Sequence, residues 1–201
     1  MKIQMPHPTP DGAPADGIAT TAAGSPSDWV RRHLPGVAPG GSVLDVACGR
    51  GRHLCLAHAL GHVVTGVDRT LDGVAHLAGK PGIELVAADL EGGGPWPFAG
   101  RTFDAVVVTN YLWRPLFPAL RATVSRTGLL IYETFARGHE RHGSPRNPDF
   151  LLRPGELLAA VAPDLVPVAY EHVALAEPER LVARIVAVGP DHKWLIDPPR
   201  A

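Results

Sequence analysis

The sequence predicts an α/β fold in which a mostly parallel sheet carries helices on both faces. From Ser42 onward, short apolar runs alternate with segments of helical spacing. These runs are apolar at nearly every position, as strands buried on both faces are. The last two β-rich runs, "LVPVAYEHVAL" and "RLVARIVAVG", are separated only by "AEPE". Four residues are too few for a crossover helix, so this pair closes the sheet as an antiparallel hairpin.

Each element has its own local reason. Residues 1–26 are rich in Pro, Gly, Ala and Thr without periodicity, which reads as a mobile arm before a single domain at 27–189 and a tail at 190–201. Ser27 is an N-cap for the short helix in "SDWVRRHL", which Pro35 and Gly36 end; this helix, with Trp29, is placed to cover a crevice. "SVLDVAC", "HVVTGVD", "IELVAADL", "FDAVVVTN" and "TGLLIYETF" are five strands. The helices are "RHLCLAHAL", "TLDGVAHLAG", "RPLFPALRATV" and "RPGELLAAVA".

Composition narrows the function classes. The 201 residues suffice for one domain with a real core, and 45% hydrophobic with 19% charged residues is ordinary for a globular chain. A formal net charge of −1 offers no electrostatic track for a nucleic acid or an acidic membrane. No apolar run approaches the roughly 20 residues that span a bilayer, and no signal-peptide core opens the chain, so a cytoplasmic setting is expected. The two cysteines, Cys48 and Cys55, make neither a disulfide framework nor a zinc site and read as small packed thiols. His53, His58 and His62 lack metal-ligand spacing, so no metal is expected.

The chemistry concentrates in "VLDVACGRGRH", where Asp45 ends an apolar run and Gly49 and Gly51 follow. A glycine turn after a strand brings backbone close to a ligand. A P-loop's lysine-and-hydroxyl ending is absent, and the dinucleotide pattern fails where its third glycine falls on Leu54. A carboxylate beside a pyrophosphate is repulsive, whereas Asp45 suits a ligand that is positive near the turn. S-adenosylmethionine carries an ammonium and a sulfonium. Asp68 and Asp89 close the next two strands, where acids meet ribose hydroxyls and the adenine amino group.

On these residues the chain resembles the class I S-adenosylmethionine-dependent methyltransferases. Asp45, Ala47, Gly49 and Gly51 match the family's first motif, with Ala47 standing where glycine is usual. "VLDVACGRGRH", "GHVVTGVD" and "ETFARGHERHGSPRNPDFLLRPGEL" look most like the small bacterial tellurite-resistance and thiopurine-type enzymes. The resemblance implies a Rossmann-like seven-stranded sheet of order 3-2-1-4-5-7-6 with the last strand antiparallel. It also implies S-adenosyl-L-methionine as cofactor, bound by Asp45, Ala47, Gly49, Gly51, Arg52, Asp68, Arg69, Asp89, Leu90 and Asn110. Arg52 either pairs with the cofactor carboxylate or is a solvated arginine.

The acceptor is less legible. "VTNYLWRP" lacks the Pro-Pro-aromatic signature of adenine and glutamine methylation, which argues against a nucleic-acid substrate. Tyr111 borders the methyl-transfer position, and Glu133 is the best general-base candidate, with His139 and His142 next. Residues 136–150 form a long loop of the kind that binds or covers ligands. Its Arg137, Arg141 and Arg146 suit either an anionic acceptor or solvent. The expected reaction is methyl transfer to a small molecule, with a soft sulfur, selenium or tellurium nucleophile favoured. The alternatives are a non-catalytic adenosine-ligand binding module and an NAD-dependent oxidoreductase, the latter disfavoured by Leu54 and Asp45.

Overall fold

The computed structural model describes residues 24–162, 164–176 and 178–198. Most of the expected N-terminal arm therefore lies outside the described residues. One seven-stranded sheet runs in the order β3-β2-β1-β4-β5-β7-β6. Strands β1 (Ser42–Val46), β2 (Val63–Asp68), β3 (Ile83–Ala87), β4 (Phe103–Thr109) and β5 (Val124–Phe135) are parallel. β6 (Val166–Ala176) and β7 (Glu179–Val188) form the antiparallel hairpin, and β7 lies antiparallel to β5.

The sheet separates two apolar layers, and strand alternation assigns side chains to them. On one face Leu44, Val46, Val106, Val108, Leu130 and Tyr132 pack with helices α3 (Phe117–Thr123) and α4 (Glu156–Val161). On the other, Val43, Val107, Leu129 and Ile131 pack beneath α1 (Asp28–His33) and α2 (Arg52–Ala59). Asp45 and Glu133 keep step with this second set, so both point toward α1 and α2. The segment after Gly189 folds back on the same layer: Trp194 is buried, and a side chain on Gly36 would collide with its ring.

Three elements differ from expectation. The helix expected in "TLDGVAHLAG" is one 3-10 stretch, Asp72–Leu77. Gly73 and Gly79 weaken an α-helix there, and a Cβ at Gly73 would stand 2.5 Å from the Gly49 carbonyl oxygen. β3 stops at Ala87, so Asp89 lies in the turn beyond the strand and caps it by accepting from the Glu91 amide at 3.0 Å. The helix expected in "RPLFPALRATV" begins as a 3-10 turn, Arg114–Leu116, before α3, because prolines occupy both starts.

Candidate active site

The turn after β1 is built from left-handed residues. Gly49 and Gly51 have φ of 56° and 76°, and Ala47 adopts φ 53°. A Cβ in that region costs about 1–2 kcal/mol, so Ala47 is strained where glycine would not be. Three contacts hold the turn. The Cys48 amide donates to the Val67 carbonyl at 3.0 Å, and the Gly51 amide to the Cys48 carbonyl at 2.8 Å. The Gly49 amide donates to Asp68 Oδ2 at 2.8 Å.

Asp45 lies under this turn and is 2% exposed. Its Oδ2 has no hydrogen-bond partner among the described residues. Burial pushes its pKa up to about 7, against the pull of the Leu54 amide and Arg52. A buried acid with a free oxygen is costly unless a ligand or cation completes it.

Three cavities open around the turn and meet at Tyr111. The first, of about 440 Å³, is lined by Ala47, Asp68, Arg69, Asp89, Leu90 and Glu91, among others. The second, of about 270 Å³, follows the turn past Gly49 and Arg52 to Thr109 and Asn110. The third, of about 250 Å³, is mainly apolar, with Leu112, Phe135, Pro145 and Phe150 in its wall. Asn110 is left-handed (φ 54°), a conformation asparagine tolerates, which turns the chain from β4 into the crevice. Gly51 caps α2 behind the second cavity.

Glu133 is elsewhere. It is 1% exposed, accepts from Ser27 Oγ at 3.0 Å, and pairs with Arg184 at 3.1 Å. Arg184 also bonds Glu171, and Glu133, Arg184 and Glu171 sit opposite one another across β5, β7 and β6. The Ser27 amide donates to His53 Nε2 at 3.1 Å, and His53 Nδ1 faces Thr109 Oγ1 at 3.3 Å. Burial drives the His53 pKa down to about 3, so the ring is neutral. Trp29 completes the latch, donating to the Ile185 carbonyl and lying under the Arg184 guanidinium.

The remaining polar candidates are dispersed. His58 contacts the Pro81 carbonyl, and His62 Nδ1 is buried without a partner among the described residues. His139 stacks on Phe135, and His142 pairs with Glu179. Arg137, Arg141 and Arg146 do not line any of the three cavities. Gly73 and the Ser27 latch were not anticipated, because both depend on contacts between distant segments.

Residues 43–127 match the family described as "Methyltransferase domain". No curated protein sequence matches the chain. Among solved structures it is similar to TehB from Haemophilus influenzae, with TM-score 0.62 and 18% identity over 81% of this chain and 61% of that one. The chain thus spans less than two thirds of that protein. It is also similar to an S-adenosylmethionine-dependent methyltransferase from Mesorhizobium loti, with TM-score 0.63 and 19% identity over 79% and 94% of the two chains. A TehB-like enzyme from Corynebacterium glutamicum superposes with TM-score 0.61 and 17% identity over 84% and 90%. At these identities the likenesses speak for the fold, and the family match speaks for the motif region. Residues 43–127 thus match the methyltransferase-domain family, within a chain whose seven-stranded sheet has the fold of the class I S-adenosylmethionine-dependent methyltransferases.

Proposed function

We propose that the chain transfers a methyl group from S-adenosylmethionine to a small molecule held in the third cavity. The observation that carries this reading is the meeting of three cavities at Tyr111, two of which share Ala47 of the glycine turn. The first suits adenosine: Asp68 is placed for the ribose hydroxyls, with Arg69, Asp89 and Leu90 beside the base. The second suits the amino-acid end, with Arg52 toward the carboxylate and Asn110 at the junction. Asp45 is the counter-charge beneath it, and its unsatisfied oxygen is what a positively charged ligand would complete.

When bound, the cofactor supplies an electrophilic methyl carbon on a positively charged sulfur. The chain's part is to align the acceptor and exclude water. An acceptor aligned at Tyr111 would take up the methyl group, the sulfur would keep the electron pair of the broken bond, and any acceptor proton would leave to solvent. Glu133, with both oxygens engaged, is read here as an anchor for α1 rather than a base. A soft sulfur, selenium or tellurium nucleophile needs little from a base, being partly ionised near neutral pH. A small acceptor, no nucleic-acid partner and a cytoplasmic setting belong to the same reading; the net charge of −1 supports the second of these. No helix among the described residues is long and apolar enough to cross a membrane.

Asp68→Ala is expected to weaken S-adenosylhomocysteine binding by roughly one to two powers of ten, the worth of one charge-assisted hydrogen bond. Calorimetry on the folded variant checks this, and unchanged affinity would remove Asp68 from the site. The acceptor class is tested with labelled cofactor and a panel of thiols, selenols, catechols and carboxylates. Label should pass to the thiols and selenols. Transfer only to catechols or carboxylates would overturn the soft-nucleophile reading and leave methyl transfer standing.

A further inference from the structure

The third cavity has a chemical character of its own. Its wall is formed by Tyr111, Leu112, Phe135, Pro145 and Phe150, with Glu91 at the border it shares with the first cavity. Among the described residues no lysine or arginine lines it. The arginine at the start of the neighbouring 3-10 turn, Arg114, is tied to Glu156 and to the Leu151 carbonyl. The loop arginines Arg137, Arg141 and Arg146 are likewise outside the wall. The cavity therefore offers apolar contact, one carboxylate, a phenol and the uncharged Asn110 and Thr134, and no cation to neutralise an anion.

Tyr111 is coupled to this carboxylate. Its hydroxyl is buried beside the Glu91 carboxylate, and the residue borders all three cavities. Burial, with the Glu91 and Asp89 carboxylates nearby, holds the phenol protonated well above the ordinary range.

We infer that the third cavity selects a small acceptor with an apolar, flat body and a cationic or neutral hydrogen-bonding end directed at Glu91 and Tyr111, and that it rejects oxyanions and carboxylates. This rests on the methyltransferase reading above and narrows it. Among soft nucleophiles it favours organic thiols and selenols of neutral or positive charge over selenite and tellurite. Glu91 is then the specificity-determining residue and Phe150 the principal apolar wall, being 44% exposed and free of the core.

The test measures binding by calorimetry to the full chain saturated with S-adenosylhomocysteine. Its probes are 2-phenylethylammonium and 3-phenylpropanoate, which share an aromatic body and differ in charge. The ammonium should bind about tenfold tighter than the carboxylate, the equivalent of one charge-assisted hydrogen bond. Glu91→Gln should bring the two within about threefold of each other. Phe150→Ala should weaken both while preserving their ratio. Equal or tighter binding of the carboxylate, no binding of the ammonium, or an unchanged preference in Glu91→Gln would overturn the inference. The saturation step reports on the parent reading separately: a chain that fails to bind S-adenosylhomocysteine would overturn both, whereas normal cofactor binding with the wrong charge preference overturns this inference alone.

Discussion

Asp45→Asn is expected to stabilise the ligand-free protein above pH 7 while weakening its hold on S-adenosylhomocysteine. The two effects share one cause. Burial raises the Asp45 pKa from 3.8 to about 7. Below pH 3.8 both the folded and the unfolded chain carry the proton. Between there and about pH 7 the folded state keeps a proton that the unfolded chain has lost, so stability declines as pH rises. Above that window the destabilisation is complete, at about 1.4 kcal/mol for each pH unit by which the pKa has moved. Asparagine has no charge to desolvate, and its carbonyl can still accept from the Leu54 amide. The variant should therefore lose the pH-dependent decline and melt higher at pH 8. Cofactor affinity should change in the opposite sense. In the wild type it should rise with pH through about 7 as the carboxylate forms opposite the ligand's positive charge. In Asp45→Asn it should be flat and lower by roughly tenfold to a hundredfold. Thermal melts and calorimetric titrations at pH 6, 7 and 8 read both. A variant that gains stability without losing affinity would mean that Asp45 does not face the ligand.

Glu133→Ala is expected to unfold the chain more readily, by about 3 kcal/mol, because it removes a buried carboxylate that accepts from Ser27 and leaves the half-buried Arg184 with Glu171 alone. Arg184 depends on Glu133 and Glu171, and Ser27 donates to Glu133 to pin the start of α1. For a domain this size the melting temperature should drop by about 10 °C, at roughly 2–4 °C per kcal/mol. Glu133→Gln separates this role from catalysis. The amide can still accept from Ser27, so the fold should survive with a smaller loss, and turnover of a thiol acceptor should fall by less than about tenfold. A stable Glu133→Gln protein with turnover reduced by about a thousandfold would restore Glu133 as the base.

The sequence reading of Glu133 went as far as one strand allows. Its place near the end of β5 was legible from the apolar run. Its direction was not, because that depends on which face α1 covers, and on β7 placing Arg184 opposite. Asp45, Gly49, Gly51 and Asp68 were legible because the turn is local: the residues that shape it are neighbours in sequence or lie at consecutive strand ends. Ala47 was visible as a departure, but its left-handed backbone needed coordinates. Gly73 has the spacing of a helix in the sequence, whereas its missing Cβ is what lets the segment approach the Gly49 carbonyl. For the third cavity, the sequence marks Tyr111 and the loop 136–150 separately but not their meeting, since Pro145 and Phe150 reach Tyr111 only when the loop closes on the sheet.

Whether the crevice over the glycine turn holds S-adenosylmethionine is decided by comparing S-adenosylhomocysteine with NADH as ligands of the intact chain, by calorimetry and by thermal shift at pH 8. A ligand that prefers the native state raises the melting temperature by mass action. S-adenosylhomocysteine should bind one to one and raise it, and NADH should do neither. Binding of NADH with no response to S-adenosylhomocysteine would make the crevice a dinucleotide site instead.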